Sequence, residues 1–539
     1  CKIKDEPLFS LEQTNTLNPI YKEFEVDEIY KYIYAETWWD CIILGPGLMV
    51  PTGDPDIQLY YKDEDWIQAS VAAFWNVYMP PGHEFTSSHV YKPGKWQVGI
   101  TDFPTEGEGN TKAPTKNFGP ITIQGSALKA LFKKQVSYNV DIKMYPGVDV
   151  EIPEQPPFGC KDAYFKIIWE NENVDLGFSL IGPSGEEILT VTEEDDSKEP
   201  KSGKKEIHIT NLGECLENEH YSLSVFALDD VSRPLEFEVE YGWTQKTSKT
   251  ERDSISSATE GAVLASMHNC PVLYTSRDNI DEKTKEVLYT LGVEDIYLVD
   301  IGKNIAQNVK NEIENIAKIK QTYNILDQIY HDIRAVSNSD DIIFSTMNPW
   351  TEWYLAELKP GNETEGGLFI GPSAYIAAHH GTPVIFIENH PRLSSASVWH
   401  NEFWRRNADD RYFNTPSVAE MVITGNRIWD FIEKNNFDKA GKESIITVAD
   451  QYDIGISWDR IFPGVAIPGR FCGTPVDTSV WISRSMFYPA LIFENQALDP
   501  SGVNRINGSL SHRTPLFQNL KIDRESGPEK FKNPVLGSF

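Results

Sequence analysis

Two related stretches of sequence decide the fold: residues 262–273, AVLASMHNCPVL, and residues 374–385, AYIAAHHGTPVI. In each, small and apolar residues with helical spacing end at an asparagine or a glycine, and a proline then opens an apolar run. Small residues let a helix pack closely on a sheet, and asparagine or glycine accepts the left-handed backbone at a helix exit. The repeat predicts equivalent helices over residues 262–268 and 374–380, each followed by a strand of one sheet that begins at Pro271 or Pro383.

Further helix and strand signals surround this repeat. Residues 282–291 have the pattern of a helix that ends at Gly292, and residues 295–300 follow as a strand. Later apolar runs at residues 445–448 and 464–467 indicate two more strands. Alternating helices and strands are typical of a parallel sheet. The sequence predicts an α/β region with a mainly parallel sheet over residues 258–500, after a polar linker at 244–257 and before an extended C-terminal segment at 501–539.

The N-terminal half has the pattern of β structure. Short aromatic and β-branched runs, separated by proline and glycine, predict a β-rich domain over residues 1–150, a divergent β-sandwich. A proline-rich joint at residues 151–159 precedes a second block with cleaner alternation, such as Phe165, Ile167 and Trp169. About seven short strands predict a β-sandwich over residues 151–246. The predicted fold class is therefore multidomain, with N-terminal β-sandwich modules followed by the α/β region.

Two resemblances to known families follow from these motifs. Residues 269–275, NCPVLYT, and 291–299, LGVEDIYLV, resemble the type-2 putative cell-wall-binding repeat over about residues 258–300, with a partial second copy at 370–390. That family occurs in surface-layer and other envelope proteins of Gram-positive bacteria and archaea. The resemblance implies attachment to the cell envelope, with cell-wall or surface glycan, other envelope proteins or further copies of the chain as partners.

The second block of the β half resembles another family. Ile167-Ile168-Trp169, Phe178-x-Leu180 and Tyr221-x-Leu223-x-Val225 are similar to the pre-peptidase C-terminal type of β-sandwich, over about residues 160–243. Such sandwiches are appended to secreted peptidases and surface proteins. Both resemblances imply an extracellular location at the cell surface.

Charge excludes one class of partner. Asp and Glu number 80 against 49 Lys and Arg, a net charge of −31, and such a surface repels phosphate backbones. We therefore expect no nucleic-acid binding. The longest stretch without Asp, Glu, Lys or Arg is residues 366–387, but it contains His379, His380, Gly381 and Pro383, so we expect no membrane span.

Clustered carboxylates in loops point to calcium as the expected cofactor, because hard cations prefer oxygen ligands. The candidate calcium ligands are Asp54, Asp56, Asp63 and Asp65, with Asp229 and Asp230 as a second set.

Three further features, a possible disulfide, two sequons and the first cysteine, suggest processing and modification in an exported protein. Cys160 and Cys215 flank the second β block, which predicts a disulfide in an oxidising compartment. Asn362 and Asn507 lie in glycosylation sequons. Lipoprotein maturation leaves a lipid-carrying cysteine as the first residue, which makes Cys1 a candidate lipid anchor, although a fragment of a longer chain also starts at any residue.

Catalytic signals are incomplete. The densest set of candidate catalytic or metal-binding residues is His379, His380, Glu388, His390, His400 and Glu402. No HExxH spacing is present, and the first two occupy the helix-end position of Met267 and His268 in the other repeat, which predicts a structural role.

Residues 464–470 and the predicted helix 477–488 resemble the Gly-Arg strand end and following helix of gingipain-like peptidases. In that family the catalytic His-Gly and Cys come after this element. Here Cys472 is the last cysteine of the chain and lies before the predicted helix, while His380-Gly381 precedes the element. The sequence therefore favours a non-enzymatic surface-layer or surface-attached protein. The alternative is a cell-surface hydrolase, gingipain-like or glycan-directed, with its site in the α/β region.

Overall fold

The architecture is given by a computed structural model, which describes most of the chain from residue 9 to residue 487. The described ranges are 9–13, 20–39, 41–45, 48–51, 55–72, 82–102, 116–118, 121–123, 136–158, 160–170, 174–192, 203–210, 212–229, 235–245, 247–354, 359–409, 418–437, 444–449, 453–461, 467–471 and 474–487.

The N-terminal half is built from antiparallel strands. The strands of the first β domain are β1 (Phe9–Gln13), β2 (Ile20–Val26), β3 (Tyr30–Trp39), β4 (Cys41–Gly45), β5 (Leu48–Pro51), β6 (Pro55–Lys62), β7 (Trp66–Ala72), β8 (Gly82–His89), β9 (Gly94–Asp102), β10 (Lys116–Phe118), β11 (Ile121–Ile123) and β12 (Val136–Glu151). The second β domain has β13 (Cys160–Trp169), β14 (Leu176–Ile181), β15 (Glu187–Val191), β16 (Lys204–Thr210), β17 (Ser222–Ala227) and β18 (Phe237–Gln245).

The long strand β12 connects the two β domains. It pairs with β3 along residues 138–146 and with β17 along residues 147–151. The result is one sheet of order β15-β14-β17-β12-β3-β8, with β1 also on β12. The boundary predicted between residues 150 and 151 thus falls at the end of a strand that both domains share.

Each β domain has its own apolar core. Ile33, Trp96 and Val98 are buried in the first domain. In the second, Phe165 and Phe178 are buried together on facing strands, as the alternation predicts.

The C-terminal half alternates helices and strands. Its helices are α1 (Lys249–Met267), α2 (Glu282–Leu291), α3 (Gln307–Ile316), α4 (Leu326–Ser337), α5 (Ile370–His380), α6 (Pro391–Asp409), α7 (Val418–Lys434) and α8 (Pro475–Phe487). Its strands are β19 (Asp295–Val299), β20 (Lys318–Tyr323), β21 (Ile342–Ser345), β22 (Pro349–Tyr354), β23 (Lys359–Gly366), β24 (Val384–Phe386), β25 (Ser444–Val448) and β26 (Ile467–Phe471).

Two parallel sheets organise this half. The strands β24-β21-β25-β26 form a four-stranded parallel sheet, and β19 pairs with β20 in a separate parallel pair. The predicted fold class, β-sandwich modules followed by an α/β region with a mainly parallel sheet, is confirmed. No helix among the described residues is both long and apolar enough to cross a membrane.

The structure corrects two predictions around the repeat. Residues 271–275 form no strand, although their counterpart Val384–Phe386 does, so only the helices of the repeat are equivalent. The first of these helices, α1, starts at Lys249, before residue 258, where the α/β region was predicted to begin. Ser248 and Glu251 form a capping box there, which extends the helix into the predicted linker.

Candidate functional site

Parallel α/β sheets bind ligands at the carboxyl ends of their strands, where the chain reverses its direction across the sheet. Here the chain runs from β21 to β24 on one side and then returns to β25 on the other side of β21. The expected crevice therefore lies where β21 and β25 end, beside the end of β24.

Glu388 is the central charged residue at this edge. It lies in the short 3-10 helix Ile387–Asn389 that follows β24, and only 6% of its surface is exposed. Its Oε1 accepts hydrogen bonds from the Thr346 hydroxyl and from the Met347 backbone N–H at 3.1 Å. Its Oε2 has no hydrogen-bond partner among the described residues. Burial raises the pKa of Glu388, and these hydrogen bonds only partly offset that effect.

The serine hydroxyls at the same edge are engaged in structural contacts. Ser345 Oγ donates to the Val448 carbonyl at 2.9 Å, which joins β21 to β25. Ser373 Oγ lies 2.7 Å from Ser345 Oγ and thereby attaches α5 to the same strands. These hydroxyls therefore bind neighbouring elements to one another.

The arginine of the gingipain-like element also has a structural role. Arg470, in β26, donates to Asp459 through Nε at 2.5 Å and through Nη2 at 3.1 Å. Its Nη1 donates to the Ile454 carbonyl at 2.7 Å and its Nη2 to the Gly455 carbonyl at 3.2 Å. Arg470 thus fixes the loop that follows β25, and Cys472 lies outside the described residues.

Of the histidines predicted as candidate ligands, His379 and His380 end α5, His390 directly precedes α6, and His400 lies within α6. The Nδ1 of His380 lies 2.5 Å from Asp341 Oδ2, and its structural role stays a prediction. Burial lowers the pKa of His390 and of His400 to about 3, which keeps both rings neutral. Glu402 lies in α6, and its side chain is outside the described part of the structure. Among the residues that the structure describes, no group of three or more His, Cys, Asp or Glu is placed to hold a metal ion.

The second β domain covers the carboxyl-end crevice. Its loop at Gly213 and Glu214 contacts α6, where the Glu214 backbone N–H donates to Ser394 Oγ at 3.1 Å. The contact is so close that a Cβ on Gly213 would lie 2.1 Å from the Ser394 carbonyl oxygen. Val398 of α6 is itself part of the core of the second β domain. Among the described residues, the second β domain therefore covers the edge beside the ends of β21 and β24.

Arg427, which the sequence did not single out, links the same two domains. It lies in α7 with 4% of its surface exposed. Its Nη2 donates to Glu219 Oε2 at 2.6 Å and to Ser395 Oγ at 2.7 Å, and its Nη1 donates to Ser184 Oγ. Arg427 of the α/β region therefore donates hydrogen bonds to two residues of the second β domain, Ser184 and Glu219. Two of its partners, Ser184 and Glu219, lie more than 200 positions away in the sequence, so no local sequence pattern identifies Arg427.

A small cavity remains between the two domains. Its volume is about 20 Å³, enough for one water molecule or one small ion. Its walls are Phe158, Cys160, Leu212, Gly213, Glu214, Asn348, Ile387, Glu388, Ser394, Ser397 and Asn401. A space of this size excludes a peptide or a sugar.

The predicted calcium ligands are only partly described. Asp54 and Asp230 lie outside the described residues, and Asp56 lies in β6 without a described side chain. Asp63 is paired with Lys92, which lowers the pKa of the Asp63 carboxyl, and Asp65 is exposed in the same turn. Asp229 Oδ2 accepts a hydrogen bond from the Asp175 backbone N–H at 2.8 Å. Calcium binding by these residues stays a prediction.

The predicted disulfide is not formed in the structure. Cys160 and Cys215 are both buried in the core of the second β domain, but both are free cysteines. Cys215 Sγ instead donates to the Glu219 carbonyl at 3.1 Å.

The modification sites remain predictions. Cys1 and Asn507 lie outside the described residues, and Asn362 lies in β23 without a described side chain.

Neither a scan against protein-family models nor a search of curated proteins found a match, so no family model supports the predicted repeat. Among solved structures, Cwp6 from Clostridium difficile matches with a TM-score of 0.28 and 12% identity over 64% of this chain. Dimeric latent PorU from Porphyromonas gingivalis matches with a TM-score of 0.20 and 10% identity over 88% of this chain. The chain spans 56% of the Cwp6 chain and 35% of the PorU chain. Similarities with TM-scores this low carry no argument about fold or function.

Proposed function

We propose that this chain is an exported, non-enzymatic protein of the cell envelope, a surface-layer or surface-attached component located outside the cell. The observation that carries the proposal is the contact of the second β domain with α6, which covers the described edge beside the ends of β21 and β24. An α/β enzyme needs this edge open to substrate, whereas here Glu214 and Ser394 join across it. The net charge of −31 and the resemblance to cell-wall-binding repeats support an extracellular surface location.

The proposed partners are other envelope proteins, further copies of the chain and cell-wall or surface glycan. Localisation tests this directly. Immunogold electron microscopy on intact cells should place the protein at the cell surface, and fractionation should recover it with the envelope. Recovery in the cytosolic fraction would contradict the proposal.

A cell-surface hydrolase is the second candidate, and Glu388 favours it. A buried carboxyl with a raised pKa at the carboxyl edge of an α/β sheet is typical of a general acid. Purified full-length chain should be screened against peptide and glycan substrates, beside Glu388→Gln, His380→Ala and Cys472→Ala. We expect no turnover above buffer. Turnover that one of these variants abolishes would establish the hydrolase instead.

A further inference from the structure

A larger cavity lies beside the parallel pair β19 and β20. Its volume is about 630 Å³, much more than the voids of a packed interior. Every residue of β19 lines this cavity, whereas no residue of β20 does. Since successive side chains of a strand point to opposite faces, a cavity that touches all of them lies along one edge of the strand, here the edge away from β20.

That edge of β19 is free. Among the described residues, β19 pairs only with β20, in parallel. The backbone N–H and C=O groups of a free edge can pair with a further strand. The wall of the cavity that α1 forms has small residues, which leave room for such a strand: Ser257, Ala258, Gly261 and Ala265.

The segment 271–275 lines the same cavity but is not paired. It makes no backbone–backbone hydrogen bond among the described residues. Its apolar side chains are exposed, 40% for Val272, 37% for Leu273 and 60% for Tyr274. In the second copy of the repeat, the equivalent residues include β24, which pairs in parallel with β21. A segment with the composition of a strand therefore lies beside a strand edge that lacks a neighbour.

The two helices of the repeat end in the same local geometry. Asn269 and Gly381 both have a left-handed backbone, with φ of 50° and 66°. In each copy the next N–H donates to the carbonyl five positions before it, at 3.0 Å after Asn269 and at 3.1 Å after Gly381. This bond is typical of a Schellman motif. The chain after Asn269 therefore leaves α1 through the same turn that leads from α5 to β24.

The contacts of α1 set the direction in which an added strand would run. A Cβ on Gly261 would lie 3.7 Å from Val299 Cγ2, at the carboxyl end of β19. Seven residues later, His268 stacks on Tyr297, nearer the start of β19, with ring centroids 5.1 Å apart. The helix therefore runs antiparallel to β19, and a chain that turns back at Asn269 runs parallel to it.

We propose that residues 271–275 are a strap that closes this cavity by adding to the free edge of β19 as a parallel strand, and that the structure shows its open state. Closure places the strap between α1 and α2, which both line the cavity, and removes the free edge. It also makes the strap, α2 and β19 a βαβ unit, the usual connection between parallel strands. The strap does not depend on the proposed envelope function.

A disulfide trap tests the closed state in the purified full-length chain. The variant carries Leu273→Cys in the strap and Tyr297→Cys in β19, with Cys270→Ser because Cys270 is an exposed free thiol. We expect mild oxidation to form the 273–297 disulfide, which mass spectrometry of the peptides identifies. Chymotrypsin should then cut after Tyr274 at least ten-fold more slowly than in the reduced form. Wild type stays open and is cut.

Gln321 supplies the matched control, because it is the partner of Tyr297 in β20. Two strand spacings of about 4.8 Å separate β20 from a strap paired with β19. A disulfide requires Cα atoms within about 7 Å of each other. Leu273→Cys with Gln321→Cys and Cys270→Ser should therefore not form the disulfide.

A second pair keeps the test decisive if Tyr297→Cys does not fold. Asp295 and its β20 partner Lys318 are both exposed, so cysteine at either position leaves the core intact. Asp295→Cys should form a disulfide with the native Cys270 at the start of the strap, whereas Lys318→Cys should not. The disulfide should again slow cleavage after Tyr274.

Two results would overturn the proposal. The first is equal disulfide formation in the β19 and β20 variants, which would show a segment without a preferred position. The second is a trapped chain that chymotrypsin cuts after Tyr274 as fast as the reduced chain, which would show that the segment does not pair with β19.

Discussion

Single residues that contact distant parts of the chain join the domains. Arg427 and Glu219 form a buried ion pair between the α/β region and the second β domain, with side chains 4% and 16% exposed. Glu186 lies nearby, fully buried, and its Oε2 accepts from the Ser184 N–H at 2.9 Å. Removing one partner of the Arg427–Glu219 pair would leave the other charge buried and uncompensated.

Removing Arg427 should be far more costly than removing an exposed arginine nearby. Arg427→Met leaves Glu219 buried without its cation, and breaking a buried pair in this way typically costs about 3–5 kcal/mol. Arg392→Met is the control, since Arg392 pairs with Asp430 at 2.8 Å while both side chains are about half exposed. Exposed pairs contribute about 0–1 kcal/mol. Urea unfolding followed by tryptophan fluorescence measures both changes, and equal effects would show that the interdomain pair does not stabilise the docked form.

Glu186 should make stability fall as pH rises. Burial raises its pKa from the ordinary 4.5 to about 7 in the folded chain. Between pH 4.5 and 7 the folded state therefore holds a proton that the unfolded state has lost, and stability decreases across this window. Melting curves of Glu186→Gln should lack this part of the pH dependence, because glutamine does not titrate. If the melting temperature falls equally with pH in wild type and in Glu186→Gln, Glu186 is not the titrating group.

At the scale of elements, the sequence predicts most of the architecture. Alternation predicts the buried strands of the second β domain, and the positions of Gly292 and Gly381 predict two helix ends that do adopt a left-handed backbone. Residues 271–275 show where local pattern fails. Their apolar run has the composition of a strand, but whether a strand forms depends on a neighbour that local sequence does not contain.

The segment 271–275 should be accessible to protease. Leu273 is 37% exposed and Tyr274 is 60% exposed, whereas Phe386 in the equivalent strand β24 is fully buried. Brief digestion with chymotrypsin should therefore cut after Leu273 or Tyr274 and spare Phe386, as mass spectrometry of the fragments would show. Resistance at all three positions would mean that the segment is paired as a strand after all.

The loop that closes the crevice should not tolerate a larger residue at Gly213. In Gly213→Ala the new Cβ meets the Ser394 carbonyl oxygen at 2.1 Å, so the loop must move away from α6. Gly371→Ala is the control, because a Cβ there has no atom within 4 Å and alanine favours the helix α5. We expect a lower melting temperature for the first variant and an unchanged or higher one for the second. Equal melting temperatures would contradict the close contact.

At the scale of the whole molecule, local sequence patterns could not predict the contact between the second β domain and α6. The sequence places Glu388 and His400 in one candidate set, and it predicts the parallel sheet that brings Glu388 to its edge. It gives no sign that Glu214 bonds to Ser394, because these residues are 180 positions apart in separate domains. Motif spacing reports contacts within an element or a short unit, whereas domain docking depends on the complementary shapes of complete surfaces.

Hydrogen exchange across the domain contact tests the central claim most directly. In the full-length chain, mass spectrometry should follow peptides that cover residues 212–216 and 394–401, with residues 271–279 as an exposed reference. If the second β domain closes the carboxyl-end crevice, the Glu214 amide that donates to Ser394 Oγ and the α6 backbone beneath it should exchange slowly. Exchange of both peptides as fast as the reference would show an open crevice and would contradict the account.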